Sequence, residues 1–111
     1  MSERPVTLYW RPGCGFCMGL RRSLDAHGLA YDAVDIWEDE HAAAFVRSVA
    51  GGSETVPTVK VGPLALVNPT ADDVLSAVAA HAPEDLPEGW APRHPGRFTR
   101  LLARLLGAPE A

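Results

Sequence analysis

The stretch Val6-Thr7-Leu8-Tyr9-Trp10-Arg11-Pro12-Gly13-Cys14-Gly15-Phe16-Cys17 decides the fold. Its first five residues are apolar and β-prone, and read as a buried strand, Val6–Trp10. Arg11-Pro12-Gly13 breaks that strand. A helix is predicted over residues 16–27, because Phe16, Leu20 and Leu24 recur at four-residue spacing and Gly28 stands where a helix stops. The two cysteines therefore sit where a strand hands over to the start of a helix.

Working outward, residues 31–36 alternate as a second strand, and residues 39–49 read as a second helix closed by Gly51-Gly52. Thr58–Val61 is a third strand entered through Val56-Pro57, and Leu64–Val67 a fourth, joined to it by Gly62-Pro63. Thr70 opens a third helix, with Asp73 three residues on as a capping box and Val74, Leu75 and Val78 as core positions. The order is β-α-β-α-β-β-α. The first β-α-β unit should be a right-handed parallel crossover, and the short turn at Gly62-Pro63 forces the last two strands antiparallel. The expectation is an α/β domain with a four-stranded mixed sheet between helices.

That domain is expected to span residues 1–82. Residues 83–96, with Pro83, Pro87, Pro92, Pro95, Gly89 and Gly96, read as a linker. Residues 97–107 then read as an amphipathic helix, with Phe98, Leu101, Leu102, Leu105 and Leu106 on one stripe and Arg97, Arg100 and Arg104 off it. The stripe folds back on its own domain or makes a dimer or partner contact. A stay on an anionic membrane is the weaker option for so short a segment.

At 111 residues, 47% hydrophobic and 22% charged, the chain can bury a core without metal or disulfide staples. No apolar run approaches the roughly 20 residues of a membrane helix, and the first residues lack a signal-peptide layout. A cytoplasmic location is expected. The net charge of −4 divides into −7 over residues 1–92 and +3 over residues 93–111. An acidic body argues against nucleic acid as the main partner. Cys14 and Cys17 are the only cysteines, and two cysteines three apart read as a site rather than a staple.

Zinc sites also use CxxC, but zinc wants four ligands, and His27, His41, His81 and His94 are scattered. No metal is expected. Two core cysteines at a helix start are the remaining bland alternative. A helix N-terminus presents free N–H groups and partial positive charge, which stabilise a thiolate. Arg11 adds to this. Cys14, in the first turn and exposed, is the expected nucleophile. Cys17, a turn further in and more buried, is the expected resolving thiol. In Thr55-Val56-Pro57, proline before a central strand donates no ladder bond. Taken alone it reads as a trans proline on an edge strand. With the CxxC upstream, a cis Val56–Pro57 bond is the favoured reading, leaving the Val56 backbone to pair with a substrate beside Cys14.

Together these parts resemble the glutaredoxin family over about residues 5–82. The resemblance is carried by the strand into Cys14-Gly15-Phe16-Cys17, by Thr55-Val56-Pro57-Thr58-Val59, by Tyr31-Asp32-Ala33-Val34-Asp35-Ile36 and by Asn68-Pro69-Thr70-Ala71-Asp72. It implies a thioredoxin-like fold and, more narrowly, the mycoredoxin branch, which uses mycothiol in place of glutathione. On that resemblance Cys14 would attack a mixed disulfide between a protein and mycothiol, and a second mycothiol would reduce the adduct. The low-molecular-weight thiol is a co-substrate, with no cofactor held. Arg11, Gly15, Phe16, Thr55, Val56, Pro57 and Asp72 are the candidate substrate-binding residues. Glutathione-using members carry a Gly-Gly turn before the last helix where this chain has Asn68-Pro69-Thr70, and Pro69 removes a donor. Asp72 and Asp73 suit hydroxyl binding, though capping and helix-terminal charge are their first use. Two other functions stay open: a dithiol electron donor fed by a flavoenzyme reductase, and an iron–sulfur module using Cys14 and an external thiol.

Overall fold

The computed structural model describes residues 4–90. Their element order is β1 (Val6–Trp10), α1 (Gly15–Ala26), β2 (Asp32–Asp35), α2 (Glu40–Val49), β3 (Thr58–Val61), β4 (Leu64–Val67) and α3 (Ala71–His81), then a 3-10 turn at Pro83–Asp85. The strands form one sheet in the order β2-β1-β3-β4. β1 and β2 are parallel, with Leu8 opposite Ala33. β3 is antiparallel to both its neighbours, with Val59 opposite Leu8 on one side and Leu66 on the other. The expected element order and mixed sheet are borne out. β2 is shorter than expected: Tyr31 and Ile36 fall outside it.

Alternation along the strands divides the core in two. Val6 and Leu8 of β1 and Val59 and Val61 of β3 pack with Leu20 and Leu24 of α1 and with Val74, Leu75 and Val78 of α3. On the opposite side, Tyr9 packs with Ile36 and with Ala42, Ala43 and Val46 of α2. So α1 and α3 cover one face of the sheet and α2 the other.

Helix ends are set by local chemistry. Asp39 caps α2 by accepting from the Ala42 N–H at 3.1 Å. α1 ends where Gly28 adopts φ +78, a left-handed conformation that favours glycine. There the Leu29 N–H reaches the Leu24 carbonyl at 3.1 Å and the Gly28 N–H reaches that of Asp25 at 3.0 Å, while Leu24 and Leu29 are buried in one cluster. α3 opens with a two-way capping box. The Asp73 N–H donates to Thr70 Oγ1 at 3.1 Å, and the Thr70 N–H donates to Asp73 Oδ2 at 3.0 Å. Thr70→Ala removes one of these bonds, and is expected to cost about 1 kcal/mol. Thermal denaturation should show the midpoint lowered by about 4–8 °C.

The chain does not leave the domain at Ala82. Leu86 and Trp90 pack against the α1/α3 core cluster, so residues 83–90 extend the folded body rather than begin a linker. Two large apolar side chains, each half-buried against the core, hold this proline-containing stretch to the domain. The remainder of the expected linker and the helix expected over residues 97–107 lie outside the described residues.

Candidate active site

Cys14 is the N-cap of α1, one position before its first turn, and its Sγ accepts the Cys17 N–H at 3.1 Å. The two sulfurs stand at disulfide distance, with the Cα atoms 5.2 Å apart. Cys14 is 9% exposed and Cys17 0%, so the expected difference in access is present, but Cys14 is far less open than expected. The reason is tertiary: both cysteines pack with Ile36, Ala42, Ala43, Val46 and Val56. No acidic residue stands in the first turn of α1. The positive end of the helix therefore acts on the Cys14 sulfur without an opposing carboxylate on that turn.

Opposite Cys14 lies the loop of Thr55-Val56-Pro57. The Val56–Pro57 peptide is cis, and the Val56 carbonyl oxygen is 3.8 Å from Cys14 Sγ. Several contacts hold this loop. Arg11 donates to the Glu54 carbonyl at 3.2 Å, Ser53 and Thr55 share a hydroxyl contact of 2.6 Å, and Thr58 Oγ1 donates to the Thr55 carbonyl at 2.8 Å. The Asn68 N–H donates to the Pro57 carbonyl at 2.8 Å, and Arg47 reaches Glu54 at 2.7 Å. The exposed Arg47–Glu54 pair adds little energy by itself. Together, however, the contacts fix the backbone that faces the sulfur, which is what a positioned site needs. Burial pushes the Tyr9 phenol above its usual range, and the Asp39 carboxylate adds to the shift. Tyr9 therefore stays neutral where it packs against the cysteine cluster.

Beside Gly15 and Pro57 opens a groove of about 420 Å³, lined by Phe16, Gly19, Leu20 and Ser23 on α1 and by Asn68, Pro69, Thr70 and Ala71 at the start of α3. Phe16 is 81% exposed at its rim. Of the candidate substrate residues, the structure brings Gly15, Phe16 and Pro57 into this groove and sets Val56 against Cys14. Arg11 and Thr55 serve the loop's geometry, and Asp72 is exposed on the first turn of α3, outside the groove lining. Sequence reasoning missed Gly19 and Ser23. The available signal was small residues at four-residue steps, Gly15, Gly19 and Ser23, on one helix.

Chemically, the arrangement offers a sulfur at a helix N-terminus, a second sulfur within disulfide reach, a backbone carbonyl fixed beside them, and an adjoining groove. When reduced, the pair should differ in reactivity. Iodoacetamide at mildly acidic pH is expected to label Cys14 at least about tenfold faster than Cys17, since only Cys14 combines access with the helix terminus. Peptide mapping after brief alkylation measures this, and faster labelling of Cys17 would invert the roles.

Among the described residues no helix is long and apolar enough to cross a membrane. Comparison with known proteins gives concordant results. The Glutaredoxin family model matches residues 6–63. A Mycobacterium tuberculosis protein provisionally named a glutaredoxin is 49% identical over 75 residues, covering 67% of this chain and 89% of that protein. Mycoredoxin 1 of Corynebacterium glutamicum is 37% identical over 78 residues, covering 69% of this chain and 96% of that protein. Among solved structures, a glutaredoxin from Archaeoglobus fulgidus superposes with a TM-score of 0.59 at 20% identity, covering 69% of this chain and 88% of that one.

Proposed function

The chain belongs to the glutaredoxin family of thiol–disulfide oxidoreductases, and from that premise we propose that it reduces mixed disulfides between proteins and mycothiol in the cytoplasm, by a monothiol cycle at Cys14. The Cys14 thiolate attacks the mycothiol sulfur of the mixed disulfide. One S–S bond forms between Cys14 and mycothiol as the original one breaks, and the protein leaves as a thiolate that takes up a proton. A second mycothiol thiolate then attacks the adduct, releasing oxidised mycothiol dimer and returning Cys14 as thiolate. The reducing equivalent comes from the second mycothiol alone, whose thiol is oxidised to half of the disulfide dimer as the protein sulfur is reduced to a thiol.

The observation that carries this reading is the Cys14 sulfur at the N-cap of α1, accepting the Cys17 N–H and facing the Val56 carbonyl. The choice of mycothiol is supported by the likeness to mycoredoxin 1 and by Pro69, which leaves the turn before α3 without one N–H donor. Reduction of one protein mixed disulfide, supplied with mycothiol, with glutathione, or with a thioredoxin-reductase system, tests it. Turnover with mycothiol is expected to exceed that with glutathione by at least about tenfold, a gap of about 1.4 kcal/mol in transition-state binding. Turnover with the flavoenzyme system alone would make the chain a dithiol electron donor instead.

A further inference from the structure

One end of the sheet carries more than the cysteines. Cys14 follows the end of β1, Trp37 follows the parallel β2, Pro57 precedes the antiparallel β3, and Asn68 follows β4. In the sheet order β2-β1-β3-β4, Cys14 therefore has the groove of Pro57 and Asn68 on one side and Trp37 on the other. Trp37 is 64% exposed, second only to Phe16 among the large apolar side chains of the described residues. Its neighbour Ile36 is buried with Cys14 and Cys17, and the Ile36 N–H donates to the Trp10 carbonyl at 2.9 Å. The Trp37 N–H donates to Asp35 Oδ1 at 2.9 Å, and the Glu38 N–H to the Asp35 carbonyl at 3.1 Å. These bonds pin the turn, so the indole stands open to solvent on a fixed mount at the cysteine end of the sheet.

An exposed tryptophan on a fixed mount offers a large contact area at little cost in ordering, which is what an interaction surface needs. Charge decides which partner fits. The turn reads Asp35-Ile36-Trp37-Glu38-Asp39-Glu40, and no Lys or Arg occurs from Asp35 to Val46. Asp35 and Asp39 accept from neutral backbone N–H groups and keep their charge, while Arg47 offsets Glu40. Glu38 is exposed on the same turn as the indole. A cation is drawn to such a place by the carboxylates and can stack on the ring.

Resting on the reduction of protein mixed disulfides proposed above, we propose that Trp37 and Glu38 form a docking surface for the protein half of the substrate, and that this surface takes a segment with Arg or Lys beside the disulfide-bonded cysteine. A partner whose disulfide reaches the Cys14 sulfur covers this end of the sheet, and its flanking residues on the β2 side meet Trp37. The cation stacks on the indole while Glu38 faces its charge.

Trp37→Ala keeps the backbone bond to Asp35 and removes only an exposed ring. The probes are two short cysteine peptides, one flanked by Arg and one by Glu, each capped as a mixed disulfide with 2-mercaptoethanol. Bis(2-hydroxyethyl) disulfide is the control. The cap makes the outcome independent of which small thiol serves as co-substrate. Second-order rate constants for reduction by the pre-reduced protein are compared. Trp37→Ala is expected to be slower by about three- to tenfold on the Arg peptide, and unchanged on the Glu peptide and the control. Glu38→Gln should lose about two- to threefold on the Arg peptide alone, and added NaCl should shrink the wild-type advantage of that peptide. An unchanged rate of Trp37→Ala on the Arg peptide overturns the proposal, whether the surface is idle or covered by the chain's own Arg-bearing residues 93–111. Equal losses on all three substrates show that Trp37 supports the cysteines instead, and overturn it. A wild type that sediments as a dimer dissociated by Trp37→Ala assigns the surface to a second copy, and overturns it as well. A wild type that reduces the control but neither peptide overturns the protein-disulfide reading, and this proposal with it.

Discussion

Cys14→Ser is expected to lower turnover of a low-molecular-weight mixed disulfide by at least about a thousandfold, while Cys17→Ser keeps at least about a third of it. The asymmetry follows from position. Cys14 caps α1, so its sulfur receives the Cys17 N–H whether or not residue 17 carries a thiol, and a serine there leaves that backbone bond intact. Serine at position 14 preserves the cap and removes the proposed nucleophile, since a hydroxyl is barely ionised near neutral pH. Cys17 is buried at 0% exposure, with its sulfur at disulfide distance from that of Cys14. Its chemistry is needed when the adduct is resolved internally, and dispensable when a second small thiol resolves it. Initial rates of both variants, alongside circular dichroism to confirm folding, measure the split. Equal loss in the two variants would favour the dithiol electron donor.

The second large effect concerns the end of the folded body. A chain cut after Ala82 loses Leu86 and Trp90 from the core, and is expected to be less stable by roughly 3 kcal/mol. At about 4–8 °C per kcal/mol, that lowers the thermal midpoint by about 12–24 °C. A chain cut after Trp90 keeps both side chains, and is expected to retain the cysteine chemistry and to melt higher than the chain cut after Ala82 by that amount. Differential scanning calorimetry on the two truncations and the full chain gives the comparison. If the cut after Ala82 costs nothing, Leu86 and Trp90 contribute no stability and the body ends with α3.

Much of this was written in local pattern. The capping residues at Thr70 and Asp73, the strands Val6–Trp10, Thr58–Val61 and Leu64–Val67, and the stop at Gly28 each depend on near neighbours in sequence, and each stands where the residues indicate. The cysteine pair was legible for the same reason, as a strand-to-helix junction. What escaped depends on distant residues. The burial of Cys14 comes from Ile36, α2 and Val56, which the spacing around Cys14 cannot register. Leu86 and Trp90 lie in a proline-rich stretch whose composition resembles a linker, and only their contact with the core distinguishes it from one. The groove arises between α1 and the start of α3, so Gly19 and Ser23 acquire meaning once Asn68 to Ala71 face them.

In the proposed cycle Cys14 alone carries the co-substrate as a mixed disulfide, and mass spectrometry of Cys17→Ser treated with oxidised mycothiol reads this out. Removing Cys17 leaves one thiol and closes the internal route. The expected result is a single mycothiol adduct on the peptide containing Cys14, which disappears when free mycothiol is added and persists with an equal concentration of glutathione over the same time. Absence of the adduct in the folded variant, or its removal by glutathione as fast as by mycothiol, would contradict it.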